Sequence, residues 1–321
     1  MRVMRWLFLM LLAAAQCQGA TAQPYPAKPV RIIVPYAAGG PLDEVARLVG
    51  QRLTEMWGHP LIVDNRAGAG GSIGTDVAAK SAPDGYTLLL GNGGPITVNP
   101  SLHKKIPYDP QKDLAPVTLM VAGQMVLSVH PSMPVRSVKE LVALARANPG
   151  RINFGSIGVG NLTHLAIELL QARAGVKMNH VPYKGAAPAL VDLMAGHIEV
   201  LYANIAGTVP HVRTGRVRAI AVSSAKRAAV LPDVPSIAET YPGYDLSTWM
   251  GVFVPAGTSK AIIAKLHGDL VKVLQRQDVR ERLESLGSEV IAGSAEDLAA
   301  LIGRETRLYA GIIKSAGILP Q

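Results

Sequence analysis

Ile33-Val34-Pro35-Tyr36-Ala37-Ala38-Gly39-Gly40-Pro41-Leu42-Asp43-Glu44-Val45-Ala46-Arg47 reads as an apolar strand that breaks at a Gly-Gly turn and runs on into a helix. Glycines at such a junction let successive backbone N–H groups point into one concavity, where the helix dipole adds partial positive charge. That geometry suits a carboxylate or phosphate held without a charged side chain. A second junction of the same kind follows at Phe154-Gly155-Ser156-Ile157-Gly158-Val159-Gly160-Asn161-Leu162-Thr163. Two anion-suited helix entrances in one chain point to capture of a small acidic solute.

Working outward, strand-like and helix-like segments alternate along most of the chain, the mark of an α/β architecture. Leu42, Val45, Ala46, Val49, Leu53 and Met56 repeat at helical spacing up to Gly58. In the middle of the chain Leu162, Leu165, Ala166, Leu169 and Leu170 form one helical face after the second glycine loop. Two extended, β-rich stretches, near 117–129 and 249–254, suggest paired crossings between two lobes. Residues 23–122 with 252–321 are then expected to form one lobe and 123–251 the other, with a cleft between them. A run of helices is expected from there to the C-terminus, with Asp278 and Ser294 as caps.

The first 22 residues read as a signal peptide. Arg2 and Arg5 form a basic start, Trp6 to Ala15 an apolar run too short to span a bilayer, and Ala20-Thr21-Ala22 a small-x-small cleavage site. Cleavage after Ala22 predicts a periplasmic protein and removes Cys17, the only cysteine. Gln16 before that cysteine disfavours lipoprotein processing. The net charge of +9 is spread along the chain and aromatics are only 5 % of residues, which argues against a nucleic-acid platform.

Candidate contacts follow from the two loops: Tyr36, Ala37, Ala38, Gly39 and Gly40 in the first; Ser156, Gly160, Asn161 and Thr163 in the second. Lys184 sits in a turn set by Pro182 and Gly185. Asn92 and Asn204 follow predicted strands, beyond whose carboxyl ends ligands sit in α/β lobes. Asp43 with Arg47 at i,i+4 reads as a helix-terminus pair rather than a ligand contact. Ser156, Asn161 and Thr163 suit helix capping as well as binding.

Catalytic motifs fail on spacing. Gly70-Gly71-Ser72-Ile73-Gly74 fits the nucleophile-elbow string, but Asn65 to Ala69 separate it from the strand. Gly68-x-Gly70 lacks the third glycine of a dinucleotide fingerprint. The histidines show no zinc spacing, and no carboxylate pair suits glycosidase chemistry. No cofactor is expected.

The motifs together resemble one family. Val34-Pro35-Tyr36-Ala37-Ala38-Gly39-Gly40 with Asp43 and Ala46-Arg47 resembles V-P-[YF]-x-x-G-G-x-x-D-x-x-A-R, the signature of solute-binding proteins of tripartite tricarboxylate transporters, the Bug family. Further blocks are Asn65-Arg66-Ala67-Gly68-Ala69-Gly70-Gly71, Asp84-Gly85-Tyr86-Thr87-Leu88, Val181-Pro182-Tyr183-Lys184-Gly185 and Leu231-Pro232-Asp233-Val234-Pro235. Trp249, Gly251 and Pro255-Ala256-Gly257-Thr258 complete them.

The resemblance implies a two-lobed periplasmic-binding-protein fold, type II-like, that closes on a small carboxylate: an organic acid, acidic amino acid or aromatic acid. It implies a monomer delivering that ligand to membrane permease subunits. The first loop is implied to hold one carboxylate, often through waters, and the second lobe to meet the other end. Asn161, the Gly91-Asn92-Gly93-Gly94 turn and Tyr202-Ala203-Asn204 depart from the usual pattern, so the individual ligand does not carry over. The alternatives are an exported serine hydrolase using Ser72 and a ligand-sensing receptor that feeds a signalling partner.

Overall fold

The computed structural model describes residues 25–183 and 185–319. The expected signal peptide and Lys184 therefore lie outside the described residues. Eleven strands form two sheets among these residues. The first half supplies β1 (Val30–Val34), β2 (Leu61–Asn65), β3 (Thr87–Asn92), β4 (Leu114–Gly123) and β5 (Met125–Val129). β6 (Asn153–Ser156), β7 (Asn179–Pro182), β8 (Val200–Asn204), β9 (Arg218–Val222), β10 (Thr248–Pro255) and β11 (Ser288–Gly293) follow.

One sheet has the order β11-β4-β10-β3-β1-β2 and the other β7-β6-β8-β5-β9. Within the first, β1 runs parallel to β2 and β3, whereas β10 is antiparallel to β3 and β4. In the second, β6 is parallel to β7 and β8, and β5 is antiparallel to β8 and β9. The sheets are mixed for a topological reason. A strand that arrives from the other lobe enters at the opposite end from one returned by a local helix crossover, so it runs the other way.

The chain passes between sheets at Gln124, between β4 and β5, and again just before Thr248. β10 pairs along its whole length with the first sheet. Residues 248–251 thus belong with that sheet, and the return crossing falls ahead of the expected boundary at 251.

Helices α1 (Pro41–Trp57), α2 (Ser72–Ala79) and the short α3 (Asn99–Leu102) accompany the first strands, with a π-helical turn, Gly94–Val98, leading into α3. Then come α4 (Val138–Ala147), α5 (Leu162–Ala174), α6 (Ala186–Ala195) and α7 (Ile205–Arg213). The chain closes with α8 (Lys260–Leu274), α9 (Gln277–Ser285) and α10 (Ala295–Ser315). Ser294 caps α10 through the Asp297 N–H, and the Asp297 carboxylate accepts from the Ser294 N–H in return. Asp278 is not a cap. It lies in the first turn of α9, where its carboxylate accepts from Arg276, the residue that occupies the cap position. Strand β11 interrupts the expected C-terminal run of helices. It is an edge strand with one neighbour, and only Ser288 of its six residues is buried, so it lacks the continuous apolar run of a central strand.

Packing divides by sheet, except at α10. Leu298 and Ile302 enter the core of the first lobe beside Trp249 and Phe253. Tyr309, Ile312 and Ile313, on the same face about two to three turns on, enter the core of the second beside Leu165 and Ala166. Fully burying each such side chain contributes about 1.5–3 kcal/mol, so this helix is a third link between the lobes. Glu305 and Tyr309, where it crosses, face the space between the sheets. No helix among the described residues is long and apolar enough to cross a membrane.

Candidate functional site

A cavity of about 610 Å³ lies between the sheets, at the carboxyl ends of their parallel strands. Helix N-termini converge on it. Pro41 and Leu42 of α1, Leu162 and Thr163 of α5, Ala186 of α6 and the α7 cap Asn204 all line it, as do Gly93 and Gly94 where the π-helical turn starts. Each helix start leaves N–H groups without intrahelical acceptors and a partial positive charge, so the convergence favours an anion.

The second glycine loop is built into this wall. Gly160 has φ +72°, a left-handed conformation that favours glycine, and a Cβ there would stand 2.4 Å from Leu102 Cδ2. Its N–H donates to His164 Nδ1 at 3.0 Å. That bond places the His164 proton on Nε2, which faces Glu168 Oε1 at 3.5 Å. The His164 ring stacks on His180 at 3.8 Å between centroids, and His180 stacks in turn on Phe154. Burial and the neighbouring His164 push the His180 pKa down to about 4.

Asn161 caps α5 by accepting the Thr163 N–H at 3.1 Å, and Thr163 Oγ1 accepts the Ile157 N–H at 3.0 Å. These polar side chains shape the loop. The N–H groups of Val159 and Leu162 donate to none of the described residues.

The expected contacts separate into two sets. Tyr36, Asn92, Gly160, Asn161, Thr163 and Asn204 line the cavity. Ala37, Ala38, Gly39 and Gly40 do not; the first three are exposed. Asp43 Oδ2 accepts the Gly39 N–H at 2.9 Å and the Arg47 Nε–H at 2.9 Å. One amide intended for an anion is thus taken by the protein's own carboxylate. Arg47 and the Gly39 bond hold the Asp43 pKa down at about 2. Ser156 is also absent from the lining: it is fully buried, with Oγ 2.6 Å from His180 Nε2 and accepting the Gly158 N–H.

The Tyr36 hydroxyl donates to Asn92 Oδ1 at 3.1 Å, and burial raises its pKa to about 12, so it stays protonated. Ser72, the nucleophile candidate, is buried. Its oxygen accepts from Asn99 Nδ2 at 2.9 Å and lies 3.3 Å from the Tyr108 hydroxyl, with no histidine among these partners.

Several lining residues escaped the sequence reading. Leu102, Met125, Trp249 and Met250 supply apolar walls, and Glu305 and Tyr309 come from α10. Glu305 Oε2 accepts from Trp249 Nε1 at 2.8 Å and from Thr97 Oγ1 at 3.1 Å. Burial raises its pKa to about 7. The signal for it was present: a carboxylate in the apolar stripe Leu298, Ile302, Glu305, Tyr309, Ile312 has to be explained by something it touches.

The sequence model of the family described as "Tripartite tricarboxylate transporter family receptor" matches residues 45–318. Protein BugT of Bordetella pertussis is 36 % identical over 318 residues, covering 98 % of each chain. The solved structure of the periplasmic binding protein BugD superposes with a TM-score of 0.75 at 35 % identity, covering 92 % of this chain and all of that one. That of Rpa4515 of R. palustris with adipate gives 0.79 at 34 % identity, with the same coverage. The two sheets, the cavity between them and these likenesses agree, and the chain belongs to the tripartite tricarboxylate transporter receptor family.

Proposed function

We propose that this protein is a non-catalytic periplasmic receptor that captures a small carboxylate and hands it to the membrane permease subunits of a tripartite tricarboxylate transporter. The observation that carries the reading is the convergence of helix N-termini on one cavity between two sheets. Carboxylate oxygens accept N–H bonds there without a buried arginine, and charge-assisted bonds are about twice as strong as neutral ones. The adipate held by a relative of the same fold supports the ligand class. The apolar signal-like start supports export, and cleavage after Ala22 is part of the proposal.

Binding works as a switch because a ligand touching both walls favours the closed state by its differential affinity. The division of labour is expected to follow the sheets, one lobe per sheet, with α10 spanning them. A thermal-shift panel tests the reading: carboxylates should raise the melting temperature and their amides should not. Equal shifts for acid and amide would remove the case for an anion site.

A further inference from the structure

Helix α10 brings two polar groups to the cavity lining that the helix starts do not supply. Glu305 Oε2 is held by Trp249 and Thr97, but its second oxygen, Oε1, accepts from none of the described residues. One helical turn on, Tyr309 lines the same cavity and is 1 % exposed; its buried hydroxyl lies beside the Glu305 carboxylate but meets hydrogen-bond geometry with none of the described residues. A buried hydroxyl left unpaired is costly unless something completes it.

An acceptor beside an unpaired hydroxyl, in a cavity with apolar walls, defines what complements them. An alcohol donates to Glu305 and accepts from Tyr309. A second carboxylate accepts from Tyr309 but sets like charge against Glu305. Resting on the receptor reading above, we propose that the Glu305–Tyr309 turn is a selectivity element, favouring carboxylates whose far end is a hydroxyl over those that end in a second carboxylate.

The titratable groups around Glu305 are Arg304 and Tyr309 on its own helix, with His103 and Tyr36 on the other walls of the cavity. Because burial lifts Glu305 toward neutrality, a protonated Glu305 can donate to a second carboxylate, so the discrimination should weaken as pH falls.

Calorimetric titration with pairs that differ only at the far end tests this: 6-hydroxyhexanoate against adipate, and 4-hydroxybenzoate against terephthalate. Near pH 8 the hydroxy acid should bind about tenfold tighter or better in the pair that fits, and Glu305→Gln should cut that preference to about threefold or less. Wild-type protein that binds the dicarboxylate as tightly, or a Glu305→Gln ratio unchanged from wild type, overturns the proposal. If the variant fails to fold, the wild-type ratio measured near pH 8 and near pH 6 decides instead. It should shrink at the lower pH, and a constant ratio overturns the proposal. Tyr309→Phe should also lower the ratio. Amide probes separate the two levels: if 6-hydroxyhexanamide binds as well as its acid, the anion site fails and this inference with it. If acids bind and amides do not but the ratios refuse to move, only the selectivity element fails.

Discussion

The two glycine loops begin as near-equivalents in sequence and end in different roles. Both follow a parallel strand and enter a helix, and both carry short polar residues in the first turn. In the first, Asp43 closes back on the Gly39 N–H, and Ala37–Gly39 stand exposed outside the cavity. In the second, the closing group is a neutral imidazole four residues on, taking the Gly160 N–H, while Val159 and Leu162 keep theirs. A carboxylate near a loop competes with an anionic ligand by charge as well as by hydrogen bonding, whereas a neutral histidine orders the backbone without adding negative charge. Equivalent glycines thus line the cavity in one place and turn the chain outside it in the other.

The largest expected break in this comparison is Gly160→Val. The side chain meets Leu102 in a left-handed backbone position, so the loop must rebuild, and affinity for any carboxylate that stabilises the wild type should fall by about a hundredfold or more by calorimetry. The matching change in the first loop, Gly39→Ala, places Cβ in open space at φ +81°. It should cost about 1 kcal/mol in denaturant unfolding and leave affinity within about threefold.

Next in size is the pH dependence of stability, which has opposite signs at Glu305 and at His180. Glu305 is raised to about 7 from an ordinary 4.5, so the folded state binds the extra proton. Its contribution is complete below the unfolded value and is lost as pH rises toward 7. Glu305→Gln should remove that loss, gaining on the order of 2–3 kcal/mol relative to wild type near pH 8, as read from urea midpoints. His180 is lowered to about 4, so there the unfolded state binds the proton and stability falls as pH drops from about 6.5 toward 4. His180→Phe should flatten that acid limb of the melting-temperature profile; an unchanged slope would remove the stacked pair as its cause.

The smallest effect expected is at Asp43. Its carboxylate is depressed to about 2 by Arg47 and Gly39, so its stabilisation is present above about pH 4 and lost below. Asp43→Asn should cost about 1 kcal/mol near neutrality, with Arg47 largely exposed and screened. A concurrent loss of ligand affinity beyond a few-fold would show that the two loops are more alike than their geometry suggests.

The sequence carried much of the fold openly. The 3.6-residue apolar periods of α1 and α5, the Ser294 cap and the β-rich crossings near Gly123 and Trp249 are local patterns, set by which side chains a helix face or strand must bury. Strand β11 was hidden because an edge strand with a single neighbour needs no alternation strong enough to see.

The lining of the candidate site was half legible. Asn92, Gly160, Asn161, Thr163 and Asn204 follow from strand ends and helix starts, which one segment specifies by itself. Glu305, Tyr309, Trp249 and Met125 belong to segments up to about 180 residues apart that meet only because α10 spans both cores and β10 returns to the first sheet.

Taken alone, the chain's residue order determined which backbone amides are released at helix starts and which faces go inward. Those are consequences of torsion angles and apolar spacing within about a dozen neighbouring residues. The competition of Asp43 for the Gly39 N–H, four residues away, is local in the same sense. Tertiary structure alone decided which helix starts share one cavity, because that depends on how segments far apart in the chain bring the two sheets together.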